Sequence, residues 1–105
     1  MNQDAFESHF AALRDRFTTR LSGYRERLSR ARASFVSHAD PDSVAELKRI
    51  SHELAGAAGV FGFPEIGDAA LVLERAADAV LQDGEDRAAV ITPLRQLIRE
   101  VELSL

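Results

Sequence analysis

Apolar residues recur along the first third of this chain at steps of three or four. Phe6, Phe10, Leu13, Phe17, Leu21, Tyr24, Leu28, Ala31 and Phe35 all fall on one line of a helix surface. A strand would need alternation at every second residue, so this spacing selects helix. It predicts one long amphipathic helix over about residues 3–36. Gly23 interrupts the run, at roughly 1 kcal/mol relative to alanine. The stripe keeps its phase across Gly23, which gives either one helix bent there or two helices with a break.

The same period continues after a stop. His38-Ala39-Asp40-Pro41 ends the first helix. Asp40 has the chemistry of an N-cap and Pro41 that of a first helical residue. The second helix is predicted from Pro41 to about Val60. Gly62 and Phe63-Pro64 mark a turn, with Pro64 again at a helix start. Ile66, Ala70, Leu73, Ala77 and Val80 line a third helix, which Asp83-Gly84 closes. Val90, Leu94, Leu97, Ile98, Val101 and Leu105 line a fourth. Pro93 either kinks this last helix or sits in its first turn behind Thr92 as cap. Nothing alternates as a strand does, and nothing repeats. Four amphipathic helices with short loops make an all-α, antiparallel four-helix bundle. A chain of 105 residues makes this a single domain over residues 1–105.

Composition narrows the function classes. There is no cysteine, which excludes disulfides and thiolate metal sites. The opening MNQDAFESHF lacks the basic-then-apolar pattern of a signal peptide, and no apolar run approaches the roughly 18 residues of a membrane span. A cytoplasmic protein is expected, with no membrane association, either free-standing or part of a larger hybrid protein. The formal net charge is −4, divided unevenly: residues 1–52 carry nine basic and seven acidic side chains, residues 53–105 four and ten. A net acidic chain argues against nucleic-acid binding. The arginines between Arg14 and Arg32 spread over both flanks of the first helix's stripe and read as a solvated face with snorkelling stems, with a surface for an acidic partner as the alternative. His9 and His38 stand at no ligand-like spacing from His52, so no metal site is expected.

The second helix is the unusual one. On a wheel of about 100° per residue, Leu47, Ile50, Leu54, Ala57 and Phe61 form its buried face, and His52 stands at the opposite pole. Near His52 on that outer face are Ala45, Lys48, Arg49, Ala55, Gly56 and Gly59. Only the two cations have long side chains, and both lie one turn before the histidine. The turn after it is bare. Glycine in a helix interior costs up to about 1 kcal/mol, and a solvent-facing surface is ordinarily filled with Glu, Lys or Gln. Small residues here therefore suggest that a partner comes close to the backbone. Packing of Gly56 and Gly59 against a neighbouring helix is the alternative, which the wheel disfavours. An exposed imidazole is a nucleophile near neutral pH. Lys48 or Arg49 could offset the charge of a phosphoryl group placed on it. Glu53 lies about 100° around the helix from His52, which reads as a flank position, with a role as base the alternative.

At these residues the sequence resembles the histidine-containing phosphotransfer (HPt) domain family. The family motif is a histidine, a leucine two residues on, lysine-glycine at three and four on, and a further glycine-phenylalanine. His52, Leu54, Gly56, Gly59, Gly62 and Phe63 match it, and Ile66, Ala70, Leu73 and Glu74 are similar to the family's next helix. The resemblance implies a four-helix bundle whose exposed histidine takes a phosphoryl group from an aspartyl phosphate on a receiver domain and passes it to another. Carried over, it makes His52 the phosphoacceptor and Gly56 the position that admits the receiver. The partners implied are response-regulator receiver domains or a hybrid histidine kinase, met by a monomer. No cofactor is expected on this chain, since Mg²⁺ would sit on the receiver. The family's usual lysine is replaced by Ala55, which leaves Lys48 and Arg49 as substitutes. The alternative is a non-catalytic module that docks receivers or kinases through the same patch; a bundle that oligomerises through its long first helix is a third possibility. No kinase glycine loop is present, so phosphate must come from a partner.

Overall fold

The computed structural model describes residues 3–38 and 40–105; Ala39, inside the turn expected between the first two helices, lies outside it. Four helices follow one another: α1, Gln3–His38; α2, Pro41–Ala57; α3, Pro64–Asp83; and α4, Ile91–Leu103. A 3₁₀ turn, Arg87–Val90, leads into α4. Each helix packs against its two neighbours in the order α1, α2, α3, α4 and back to α1. No strand occurs among the described residues.

α1 runs without a break through Gly23, where a Cβ would meet nothing within 4 Å. Its stripe enters the core from Phe17 onward, through Leu21, Tyr24, Leu28, Ala31 and Phe35. The beginning of the stripe does not. Phe6 and Phe10 are exposed and Leu13 is half-buried. At about 1.5 Å per residue a helix of 36 residues is longer than its neighbours, and the first turns overhang the bundle. Periodicity marks which face is apolar, not whether another helix reaches far enough to cover it.

The caps at Asp40 and Gly84 are those the sequence announces. Asp40 Oδ1 accepts from the Ser43 backbone N–H at 2.8 Å, and the Ser43 hydroxyl donates to the Asp40 carbonyl at 2.9 Å. Gly84 closes α3 at φ 72°, in the left-handed region that favours glycine. Pro93 is the third residue of α4, inside the first turn, where a missing N–H is harmless. Thr92 is not its cap. The preceding 3₁₀ turn is capped instead, by Asp86, whose side chain accepts from the Ala88 N–H at 2.9 Å.

α2 ends earlier than its composition suggests. The helix stops at Ala57, and residues 58–62 form a turn that passes through Gly62 at φ 86°. The Phe63 N–H donates to the Ala58 carbonyl at 2.9 Å and seals the turn. Gly59 therefore lies outside the helix, and Gly56 is its penultimate residue. The expected penalty for two mid-helix glycines does not apply to Gly59 and is reduced at Gly56, near a fraying end.

Leu47, Ile50 and Leu54 are fully buried, as the wheel requires, joined by Val44 and Ala58. Ala57 and Phe61 are half-buried. Phe61 and Phe63 pack on Phe17, with ring centroids 5.3 and 5.6 Å apart, and the Arg14 guanidinium lies 4.9 Å from the centre of the Phe63 ring. Aromatic contacts at these distances add to area burial. They tie the turn that follows the histidine to α1 and so hold the end of α2 in place.

Candidate functional site

His52 lies in the C-terminal half of α2, with its side chain 75% exposed. Its floor is fully buried: Ser51 and Leu54 have no exposed surface, and the Ser51 hydroxyl is satisfied by the Lys48 carbonyl at 3.0 Å. A rigid, filled core beneath an exposed ring fixes the Cα of His52 while leaving the imidazole to its polar partners.

One such partner comes from α3. His52 Nδ1 lies 2.6 Å from Glu74 Oε2. Glu74 is only 20% exposed, so its carboxylate sits against the helix pair and reaches the ring from the inner side. One turn earlier on α2, Lys48 Nζ lies 2.7 Å from Asp78 Oδ1. His52 and Lys48 are four residues apart, as are Glu74 and Asp78. The two rungs therefore belong to one antiparallel register of α2 on α3. Extended past the histidine, that register brings Gly59 to Gly67, where a Cβ on Gly67 would lie 3.4 Å from the Gly59 backbone nitrogen. Gly67 is thus the glycine in van der Waals contact with the turn after α2.

Gly56 and Gly59 are different. A Cβ built on either meets nothing within 4 Å. Both are exposed, and Ala55 between them and His52 is half-buried against the core. No neighbouring helix requires these residues to be small. The ground after His52 is low and open.

Before the histidine the surface is a groove of about 700 Å³ between α2 and α3, lined by Ala45, Lys48, Arg49 and His52 on one side and Leu71, Glu74, Arg75 and Asp78 on the other. Each set repeats at three- and four-residue spacing, as two facing helix surfaces must. The groove's cations are not equivalent. Lys48 is engaged by Asp78, and Arg49 by Glu46 at 2.8 Å. Arg75 is exposed and has no hydrogen bond or ion pair among the described residues.

Glu53 stands on the flank. Its carboxylate accepts from Arg27 of α1 at 2.7 Å, and Arg27 also approaches Glu46 at 3.6 Å. The hydrogen bond from Arg27 holds the Glu53 carboxyl below its ordinary pKa, and the same bond raises that of Arg27. Glu53 ties α1 to α2 and does not touch the histidine ring. Among the described residues, no group of three or more His, Asp or Glu converges as a metal site would require. No helix there is long and apolar enough to cross a membrane.

Sequence reasoning places Glu74 on the third helix without giving it a role at the site. A signal was available. Lys48 and His52 on one helix and Glu74 and Asp78 on the next are opposite in chemistry and equal in spacing. Only the inter-helix register shows that they meet.

A family model for the Hpt domain matches residues 12–103, and the chain belongs to that family. No curated protein and no solved structure gives a significant match. Membership places the chain in two-component phosphorelay signalling, where such domains interact with receiver domains and histidine kinases.

Proposed function

We propose that His52 is the phosphoacceptor of a phosphorelay, charged by the aspartyl phosphate of one receiver domain and discharged to another. The observation that carries this reading is the pairing of an exposed imidazole with a half-buried carboxylate at 2.6 Å. With Nδ1–H donating to Glu74, the lone pair resides on Nε2, which has no hydrogen bond among the described residues. The ring is held in one tautomer and one orientation by a group on a different helix.

The transfer follows from that arrangement. The Nε2 lone pair attacks phosphorus in line with the aspartyl oxygen. The N–P bond forms, the P–O bond breaks, and its electron pair returns to the receiver's carboxylate. The ring then carries positive charge with its proton still on Nδ1, and Glu74 faces that charge directly. The reverse displacement, with a second receiver's carboxylate as nucleophile, restores the neutral imidazole. Such transfer needs little beyond positioning and charge stabilisation. The Mg²⁺ that serves it is assigned to the receiver.

The docking ground in this reading is the small, half-buried Ala55 with Gly56 and Gly59, at which a Cβ would meet only open space, so that a partner surface can approach the backbone. Lys48 and Arg49 border the other side of the ring. Ala55, in place of the family's usual lysine, favours a second reading, in which the chain binds a receiver through this patch and transfers nothing.

Incubation with a receiver charged by labelled acetyl phosphate separates the two. Phosphotransfer gives acid-labile, alkali-stable label on the wild-type chain and none on His52→Gln, which still binds the receiver. Binding without label on the wild type overturns the relay reading in favour of the docking one.

A further inference from the structure

The groove beside His52 holds three cations, and the structure distinguishes them. We propose that Arg75 of α3 is the residue that takes the phosphoryl oxygens. This rests on the reading of His52 as phosphoacceptor and assigns the charge partner that reading lacks.

Arg75 directly follows Glu74, the residue whose carboxylate touches the imidazole, so the two Cα atoms are about 3.8 Å apart. It lines the same groove as His52. Its guanidinium has no carboxylate among the described residues, whereas Lys48 and Arg49 each hold one at 2.7 and 2.8 Å. Moving either of those to a phosphoryl group breaks an existing pair and, for Lys48, removes a rung between α2 and α3. Moving Arg75 breaks nothing. A guanidinium also presents a planar fork of donors that matches two phosphoryl oxygens at once, which an ammonium does not.

Charge in the groove is compatible with this role. Lys48, Arg49 and Arg75 face Glu74 and Asp78, a formal excess of one positive charge. A phosphoryl group brings about two negative charges beside the Glu74 carboxylate. With Arg75 neutralised, the lining has no excess with which to meet them. Arg75 enters no covalent step: the N–P bond still forms at Nε2, and the leaving group still departs with its electron pair.

The test uses phosphoramidate as donor, so no partner protein is needed. Nε2 attacks its phosphorus, the N–P bond to the ring forms, and ammonia leaves. Labelling rate and phosphohistidine half-life are followed by ³¹P NMR on wild type, Arg75→Gln, Arg75→Lys, His52→Gln and Arg95→Gln. Arg95→Gln removes the same charge from the exposed surface of α4 and controls for net charge. Arg75→Gln is expected to slow labelling by about three- to fivefold, the upper part of the range of a contact at a solvated site, with the difference shrinking as salt rises. Arg75→Lys recovers part of the rate, and Arg95→Gln matches wild type. Labelling of Arg75→Gln within twofold of wild type, or an equal loss in Arg95→Gln, overturns the assignment of Arg75 alone. Absence of His52-dependent label in the wild type overturns the phosphoacceptor reading and this one with it.

Discussion

Glu74→Gln isolates the contribution of the carboxylate behind the ring. The substitution keeps the shape of the side chain and its reach to Nδ1, now 2.6 Å away. It removes the charge that faces the phosphorylated imidazole. It also frees the tautomer, because an amide can accept from Nδ1–H or donate to bare Nδ1, and the second arrangement puts the proton on Nε2. A hydrogen bond to a charged group contributes about 1.5–3 kcal/mol. His52 is 75% exposed and Glu74 20% exposed, so solvent screening puts the effect at the lower end. About 1.5 kcal/mol is roughly a tenfold loss of rate. The assay is the initial rate of phosphoramidate labelling, with thermal melting run in parallel. The expected result is a rate about one tenth of wild type and a melting temperature within a few degrees of it, since one solvated pair contributes about 0–1 kcal/mol to stability. A Glu74→Gln protein labelled within twofold of wild type would refute the claim that this carboxylate orients and charges the ring.

Two further outcomes follow from the structure. Gly56→Glu should melt at or above the wild-type temperature, because its Cβ meets nothing within 4 Å and glycine in a helix is less favourable than other residues by up to about 1 kcal/mol; titration calorimetry against a receiver should show binding lost, and retained binding would remove Gly56 from the docking ground. Acid should weaken the fold from about pH 4.5 downward: Glu53 and Asp40 both have depressed carboxyl pKa values, through the bonds from Arg27 and from the Ser43 N–H, so their contribution is present above the unfolded values and is lost as pH falls through the folded ones. Arg27→Ala should flatten that part of the profile measured by urea titration, and identical profiles would mean the Arg27–Glu53 bond has no bearing on stability.

How far the sequence reached depended on which interactions are local. Helix starts at Asp40-Pro41 and Phe63-Pro64 and the stop at Gly84 are written within a few residues, so they were readable. The orientation of His52 was readable for the same reason: Leu47, Ile50 and Leu54 on one face put it on the other. The end of α2 was not, because Ala57, Ala58 and Val60 suit a helix as well as a turn, and the deciding bond joins Phe63 to Ala58 around a left-handed Gly62. The exposure of Phe6 and Phe10 depends on where α1 outruns its neighbours, a fact about lengths in space. Glu74 at the ring and Asp78 at Lys48 depend on the register between two helices, which amphipathic period alone does not set.

The chain holds three histidines, His9, His38 and His52, and the central claim singles out one. Its most direct test is to charge the wild-type protein from a phosphorylated receiver and locate the modification by mass spectrometry under neutral, cold conditions. The expected result is a single phosphoryl group on His52, returned to a second receiver on its addition and absent from His52→Gln. Label on His9 or His38, or equal label on wild type and His52→Gln, would contradict it.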